Sequence, residues 1–301
     1  MGIRGSLLLA VSWALIAAGP ASVSGANSDP ILVGAGDIAT CSGDRGEATA
    51  ALLDRIFPPG TSLSAGVVFT LGDNAYNSGS PVEFAKCYEP GWGRHKARTR
   101  PAPGNHDYRT SGAEAYFSYF GAAAGDPARG YYSYDLGAWH VVVLNSNCAQ
   151  VVGGCQSGSP QEKWLRADLA AHPTRCALAY WHHPRFNSGS HHGDSPAMTD
   201  LWQALMESGV DVAMAGHEHT YERFALQTAQ GVADARGIRQ FIVGTGGKSH
   251  YSMGRAKPNS EVRDSTTFGV LKLTLRADSY DWEFLPAAGG TFTDSGRANC
   301  H

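Results

Sequence analysis

Short apolar runs and amphipathic segments alternate along the first part of the chain. Residues 31–35 and 67–71 are apolar runs of strand length, and residues 47–57 between them place apolar side chains at helical spacing. The pattern predicts a strand, a helix and a second strand. Such units build sheets that carry helices on their faces.

The alternation continues to residue 243. Residues 270–275 and 280–285 flank a short polar turn and predict an antiparallel hairpin, whereas residues 251–267 are polar and uneven and predict a long surface loop. Two mixed sheets with helices on their outer faces accommodate all of these elements. We therefore expect the α/β class, in a four-layer α/β/β/α sandwich of two mixed sheets flanked by helices. The remaining predicted strands are residues 100–102, 131–135, 139–144, 177–181, 210–215 and 238–243, and the remaining helices are residues 160–171 and 196–208.

Residues 1–26 have the composition of a secretory signal peptide. Arg4 precedes an apolar stretch at residues 7–18, and the small residues Ser24 and Ala26 mark a cleavage site. The stretch is too short to span a bilayer. We expect export to an extracellular or periplasmic location, with residues 27–301 forming a single domain.

Charge excludes some classes of function. The chain has 24 basic and 27 acidic residues, a formal net charge of −3, and no run rich in Lys or Arg. A nucleic-acid groove and a membrane-binding patch are therefore not expected. The length is compatible with a monomer, and the oligomeric state stays open.

All six cysteines follow the predicted cleavage site. In an exported chain an even number of cysteines predicts disulfides, here up to three. Cys148 and Cys155 share one short Gly-rich loop, so we predict that they pair. The sequence leaves the pairing of the other cysteines open.

Side chains that bind metals follow several of the predicted strands. Because open α/β sheets build their sites at the carboxyl ends of strands, we expect these side chains to meet at one edge of the fold. Two ions about 3.5–4 Å apart can stabilise the attacking and leaving oxygens at phosphorus, provided that a carboxylate bridges them. Asp73 is the natural bridge. The candidate ligands are Asp37, Asp73, Tyr76, Asn105, His182, His217 and His219.

Five short motifs contain these residues: GDIAT from Gly36, GDNAY from Gly72, GNHD from Gly104, WHHPRFNSGSHH from Trp181 and GHEHTYER from Gly216. Together they resemble the signature set of the calcineurin-like metallophosphoesterases. The Tyr in the second motif is similar to that of the purple acid phosphatase branch. The resemblance implies that residues 27–301 form one metallophosphoesterase catalytic domain. It also implies a secreted, acid phosphatase-like hydrolase that cleaves phosphate monoesters by in-line attack of a metal-bound hydroxide.

The resemblance also divides the ligands between two ions. Ligand chemistry agrees independently, because carboxylate and phenolate oxygens suit Fe(III), whereas imidazole and amide groups suit Zn, Mn or Fe(II). His183, next to His182, is the alternative ligand in its segment. The implied Fe(III) ligands are Asp37, Asp73, Tyr76 and His219, and the implied ligands of the divalent ion are Asp73, Asn105, His182 and His217.

Histidines near these ligands are candidates for phosphate binding and acid catalysis. His106 follows Asn105, and His192 lies in the segment where the family keeps substrate-facing histidines, with His191 as a third candidate. Which of them protonates the leaving group stays open. Asp107 is expected to orient a neighbouring imidazole.

Two other functions stay open beside the hydrolysis of small phosphate monoesters. The same metal site could cleave phosphodiesters or nucleotides, or a noncatalytic exported protein could bind metal or phosphate without turnover. Tyr76 favours the monoesterase, and His106 with His192 favours an enzyme. Nucleotide binding at the glycine-rich turn of residues 244–249 is not expected, because Ile242 replaces the first glycine of a P-loop.

Overall fold

The computed structural model of the protein describes residues 1–3 and 29–301. Apart from residues 1–3, the predicted signal peptide therefore lies outside the described residues. Within the described ranges, no helix has the length and apolar composition needed to cross a membrane. All of the motifs lie within residues 29–301.

Short strands and helices follow one another along the described part of the chain. The α-helices are α1 (Arg45–Ile56), α2 (Pro81–Glu83), α3 (Glu114–Phe120), α4 (Pro160–Ala171) and α5 (Thr199–Glu207). The strands are β1 (Ile31–Ala35), β2 (Ala39–Thr40), β3 (Gly66–Leu71), β4 (Ala75–Tyr76), β5 (Thr99–Ala102), β6 (Tyr132–Leu136), β7 (Trp139–Val143), β8 (Cys176–Tyr180), β9 (Val212–Ala215), β10 (Tyr221–Phe224), β11 (Arg239–Val243), β12 (Ser260–Asp264), β13 (Gly269–Leu275), β14 (Ser279–Pro286) and β15 (Ser295–Asn299).

Two large mixed sheets form the centre of the fold. The first has the order β15-β14-β13-β1-β3-β5, in which β1, β3 and β5 are parallel and the β13–β14 hairpin joins antiparallel to β1. The second has the order β12-β10-β11-β9-β8-β7-β6, in which β7, β8, β9 and β11 are parallel. Each sheet thus contains a block of parallel strands whose carboxyl ends lie at one edge.

Alternate residues of the second sheet pack in opposite directions, as the pleat of a strand requires. On β7, Val141 and Val143 join the core shared with the first sheet, whereas Val142 joins a separate core that includes Leu165 of α4 and Leu201 of α5. On the other side of the molecule, α1 packs against the first sheet. The predicted sandwich of two mixed sheets flanked by helices is confirmed.

The observed ends of the predicted elements differ from the expected ones by at most three residues. Residues 251–267 are the exception, because they contain β12, which pairs antiparallel with β10. The prediction of a loop throughout this stretch is wrong. As an edge strand, β12 has no buried residue, so it lacks the apolar alternation by which a strand is recognised in sequence.

All six cysteines are paired. The predicted bond between Cys148 and Cys155 is confirmed. The other bonds join residues far apart in the chain: Cys176, which opens β8, pairs with Cys300, which follows β15 of the other sheet. A disulfide therefore connects the two sheets. The bonds are Cys41–Cys87, Cys148–Cys155 and Cys176–Cys300.

His140 on β7 is buried between two carboxylates. Its Nδ1 lies 2.7 Å from Asp135 Oδ1 and its Nε2 lies 2.9 Å from Asp168 Oδ2. Since carboxylates only accept hydrogen bonds, both ring nitrogens donate and the ring is an imidazolium. Burial by itself lowers the pKa of His140, but the hydrogen bonds to Asp168 and Asp135 outweigh burial and raise it. His140 and His172 thus both pair with Asp168.

Replacing His140 by glutamine is expected to destabilise the protein most at mildly acidic pH. A histidine whose pKa is raised on folding stabilises fully below its unfolded pKa of about 6.5, and that contribution is lost as pH rises through the folded pKa. Charge-assisted hydrogen bonds of this kind contribute about 1.5–3 kcal/mol. Denaturant titrations of both proteins between about pH 6 and pH 9 measure the difference in free energy of unfolding. A difference that stays constant with pH would contradict the imidazolium assignment.

Candidate metal centre

The predicted ligands lie in loops at the carboxyl ends of parallel strands from both sheets. The loops after β1, β3 and β5 of the first sheet carry Asp37, then Asp73 with Tyr76, then Asn105, and those after β8 and β9 of the second sheet carry His182, then His217 with His219. The site therefore forms where the two parallel blocks meet, as expected for open α/β sheets.

Three of these loops turn through a left-handed backbone conformation that residues other than glycine rarely adopt. The angle φ is +58° at Asp37, +51° at Asp73 and +68° at His217. Such conformations cost about 1–3 kcal/mol each and persist where the surroundings hold them, often at functional sites. Here the loops hold one another: Asp37 N donates to Gly72 O at 3.1 Å, and His217 N donates to Asp37 Oδ2 at 2.8 Å.

A first donor set surrounds the Tyr76 hydroxyl. This oxygen lies 2.8 Å from Asp37 Oδ1 and 2.7 Å from Asp73 Oδ2. His219 Nε2 lies 3.3 Å from the same hydroxyl and 3.4 Å from Asp37 Oδ1. His219 Nδ1 donates to Ser249 O at 2.6 Å, so Nε2 of the neutral ring presents a lone pair to the other donors. These four donor residues are buried.

A second donor set surrounds His182 and shares Asp73 with the first. Asp73 Oδ1 lies 3.5 Å from His182 Nε2, and this nitrogen is 2.9 Å from Asn105 Oδ1 and 3.1 Å from His217 Nδ1. His182 Nδ1 donates to Leu71 O at 2.7 Å, which again leaves a lone pair on Nε2. Gly104 is required beside this set, because a Cβ there would overlap Asp73 Oδ1.

Both donor sets fit a metal ion. Metal–ligand bonds of about 2.0–2.2 Å place neighbouring donors of one ion roughly 3 Å apart, and the separations within the sets are 2.7–3.5 Å. His182 Nε2 and His217 Nδ1 face each other at 3.1 Å, and two lone pairs at that distance need a cation or a proton between them. Because Asp73 directs one oxygen into each set, a single carboxylate can bridge two ions.

Burial and neighbouring charges shift the pKa values of three donor groups in this site. Burial by itself raises the pKa of Asp73, but the charge and hydrogen bond of His182 outweigh burial and lower it. Burial likewise lowers the pKa of His182, but Asp73 raises it to about 9. Burial, with the charges of Asp37 and Asp73, raises the pKa of Tyr76. A metal ion held by these residues would therefore compete with protons on His182 and Tyr76.

The three candidate catalytic histidines lie at the rim of the two sets. His106 Nδ1 donates to Asn77 O at 2.6 Å, and its Nε2 lies 3.9 Å from Asp73 Oδ2, beside the Tyr76 ring. At the second donor set, the His192 ring stacks on the ring of His217, with the ring centres 3.9 Å apart. His191 stacks instead on Tyr251, at 4.1 Å.

His183, the alternative ligand, lies next to the second set. Its Nδ1 is 2.8 Å from Ser146 Oγ, and its ring centre is 4.4 Å from that of His217. Burial and the positive charge of His182 lower the pKa of His183 to about 3. In this segment His182, and not His183, contacts both Asp73 and Asn105.

The expectation that Asp107 orients an imidazole is wrong. Its buried carboxylate accepts hydrogen bonds from Asn74 Nδ2 at 3.0 Å and from Gly104 N at 2.8 Å. It also accepts the backbone N–H of Asn74 at 3.3 Å. Because Asn74 follows Asp73 and Gly104 precedes Asn105, Asp107 holds together the two loops that carry these donors.

Glu218, which the prediction from sequence missed, is fully buried between His217 and His219. Its carboxylate accepts the backbone N–H of His191 at 3.2 Å and that of His192 at 3.1 Å. It also accepts a hydrogen bond from Asn187 Nδ2 at 3.0 Å. Glu218 thus holds the loop that carries the two rim histidines. An acidic residue placed between two candidate metal ligands was the available signal.

Comparisons with known proteins agree with this geometry. The sequence model of the calcineurin-like phosphoesterase family matches residues 32–221. Purple acid phosphatase 21 of Arabidopsis thaliana is 29% identical over 221 residues, which cover 64% of this chain and 49% of that protein. Purple acid phosphatase 22 of the same plant is 32% identical over 154 residues, covering 48% of this chain and 34% of that protein.

Two solved structures show the same fold. A purple acid phosphatase from yellow lupin (Lupinus luteus) seeds superimposes with a TM-score of 0.72 at 19% identity, covering 90% of this chain and 54% of that one. GAP50, described as the anchor in the inner membrane complex of Plasmodium, superimposes with a TM-score of 0.69 at 13% identity, covering 91% and 90%. At these identities the likeness concerns the fold alone.

The chain spans about half the length of purple acid phosphatase 21. The activity of that longer protein is therefore not assigned to this chain on similarity alone. The family match, by contrast, covers more than half of this chain and includes all seven donor residues. The chain belongs to the calcineurin-like phosphoesterase family and has purple acid phosphatases among its homologues.

Proposed function

We propose that the protein is a secreted phosphatase that uses two metal ions to hydrolyse phosphate monoesters. The observation that supports this most strongly is the position of Asp73. One of its oxygens belongs to each donor set, which is the arrangement that a binuclear centre for in-line displacement at phosphorus requires.

The donor chemistry supports two different ions. The first set contains the Tyr76 phenol and the carboxylates of Asp37 and Asp73, which suit Fe(III). The second contains the Asn105 amide oxygen and two imidazole nitrogens, which suit Zn, Mn or Fe(II). We therefore propose Fe(III) with one divalent ion.

The ions, when bound, would supply a nucleophile at neutral pH and stabilise negative charge on the phosphate oxygens. The chain itself places proton-carrying groups on both sides of the centre. His106 holds its Nδ1 proton against Asn77 O, so Nε2 is the atom that binds a phosphate oxygen or carries the proton for the leaving alkoxide. His192, anchored through Glu218, is the second candidate for these roles, and His191 the third.

Export is part of the proposal. Three disulfides are typical of proteins that fold in oxidising compartments. Residues 1–26 have the composition of a signal peptide, and residues 27–301 would then be the secreted catalytic domain. The substrate that we propose is a small phosphate ester, since the chain is acidic overall and has no basic run for a nucleic acid.

The test compares a monoester with its matching diester, p-nitrophenyl phosphate and bis(p-nitrophenyl) phosphate, on the metal-loaded protein. We expect kcat/KM for the monoester to be higher by at least about tenfold, which is ~1.4 kcal/mol of transition-state free energy. A chelator should remove the activity. Faster turnover of the diester would assign a phosphodiesterase instead, and turnover of neither ester would favour a binding protein.

A further inference from the structure

Asn77, the residue after Tyr76, holds two cationic side chains at the edge of the metal centre. Lys248 Nζ donates to Asn77 Oδ1 at 3.0 Å, and Arg109 Nη1 donates to Asn77 O at 3.1 Å. The same carbonyl oxygen accepts a hydrogen bond from His106 Nδ1 at 2.6 Å. Asn77 and Arg109 are exposed and Lys248 is partly exposed. Two positive charges therefore contact one exposed residue, next to a candidate catalytic histidine.

Backbone hydrogen bonds keep both cations beside the first donor set. Lys248 N donates to Asp37 O at 2.8 Å, and Arg109 N donates to His106 O at 3.1 Å. Lys248 Nζ also lies 4.6 Å from the centre of the Tyr76 ring, whose hydroxyl belongs to that set. The position of Lys248 is thus tied to the donor residue Asp37, and that of Arg109 to the rim residue His106.

Lys248 and Arg109 donate their side-chain hydrogen bonds to Asn77, which carries no charge. Within residues 29–301, neither of them forms an ion pair. Two other lysines, by contrast, are paired: Lys257 and Lys272 each lie 2.9 Å from a carboxylate oxygen. The acidic residue of this loop, Glu83, accepts instead from the backbone N–H groups of residues 77, 78 and 80. The positive charge at the rim is therefore available to a ligand.

We propose that Lys248 and Arg109 form a subsite for a second anionic group of the substrate. The proposal rests on the proposed function, since a phosphate ester bound at the donor sets brings its leaving alcohol close to this rim. A guanidinium fork and an ammonium group bind carboxylate and phosphate oxygens well, and an anion readily replaces the neutral Asn77 oxygen as acceptor. The substrate class is phosphate monoesters of alcohols that carry a carboxylate or a second phosphate near the ester oxygen.

The first experiment measures binding without turnover. Methylphosphonate and phosphonoacetate share the phosphonate group, and only the second carries a carboxylate. Titration calorimetry on the metal-loaded protein is expected to show roughly tenfold tighter binding of phosphonoacetate. Lys248→Gln and Arg109→Gln should each remove most of this preference while leaving methylphosphonate affinity within about twofold. Lys272→Gln, which removes a paired lysine from β13, is the matched control.

Added salt provides a second readout. Exposed charges are screened over a Debye length of about 10 Å at 0.1 M salt, so the preference for phosphonoacetate should shrink as salt rises. A lysine that only packs on the Tyr76 ring would give no such dependence. Equal affinity of the wild-type protein for the two phosphonates, or equal weakening of both in the variants, would overturn the subsite.

A kinetic pair separates the subsite from the proposed function. 2-Phosphoglycerate carries a carboxylate where glycerol 2-phosphate carries a hydroxymethyl group, and kcat/KM should favour the former in wild type but not in Lys248→Gln. Turnover of both esters without preference refutes the subsite and leaves the phosphatase standing. Turnover of neither, with a Lys248-dependent preference for phosphonoacetate, refutes the phosphatase and supports the subsite.

Discussion

Asp73→Asn is expected to lower phosphate monoester hydrolysis by at least about 10³-fold, because losing the bridging anion removes several kcal/mol of transition-state stabilisation. The asparagine has nearly the same size, so the fold should persist. It cannot provide an anionic oxygen to both donor sets, which now share Asp73 Oδ1 and Oδ2. We therefore also expect the variant to bind fewer than two ions per chain, as measured by emission spectrometry of the purified protein.

The control for this variant is Asp281→Asn on β14, where the carboxylate is paired with Arg276 and Arg297 on the surface. This change is expected to leave activity and metal content unaltered. Retention of two ions and of activity within about tenfold in Asp73→Asn would rule out Asp73 as the bridge. A melting temperature close to wild type would exclude unfolding as the cause of any loss.

Glu218→Ala is expected to lower both stability and activity. The truncation leaves the backbone N–H groups of His191 and His192 and the Asn187 amide without their acceptor. Removing the acceptor of buried hydrogen bonds to a charged group costs about 2–4 kcal/mol. The loop also positions the rim histidines, and loss of such support typically lowers activity by about 10–100-fold.

The division between kcat, KM and metal content identifies the role of Glu218. If it acts by placing His191 and His192, metal content stays unchanged while kcat/KM falls, and Glu218→Gln restores part of the activity because it keeps one acceptor oxygen. Glu283→Ala, at the exposed glutamate on β14 that pairs with Lys272, is the control for a lost carboxylate. Loss of stability with unchanged kcat/KM in the folded fraction would show that Glu218 is only structural.

The proposed ligands could be named from the sequence because each follows an apolar strand within a short motif. Strand ends are local features, and the carboxyl ends of parallel strands converge in any open α/β sheet. That Asp73 directs one oxygen into each donor set, however, depends on φ at Asp73 and on the hydrogen bond from His106 N to Oδ1 at 2.8 Å. The order of motifs along the chain contains no information on either.

Roles that depend on side-chain direction could not be predicted. Asp107 accepts hydrogen bonds from Asn74 and Gly104 and not from an imidazole, and Glu218 reaches a loop that lies 26 residues away in sequence at His192. Lys248 meets Asn77 across 171 residues. A pattern of residue types states which groups are present, whereas the packed fold decides which atoms come within 3 Å of one another.

By itself, the sequence determined the class of fold, most strands and helices, the strand-end motifs and the Cys148–Cys155 pair, since each depends on neighbouring residues or on periodicity. The tertiary structure decided the strand order, the edge strand β12 and the Cys176–Cys300 bond between the sheets. These features arise from contacts between distant segments. The stability of such contacts depends on how the whole chain packs, so a local sequence pattern cannot predict them.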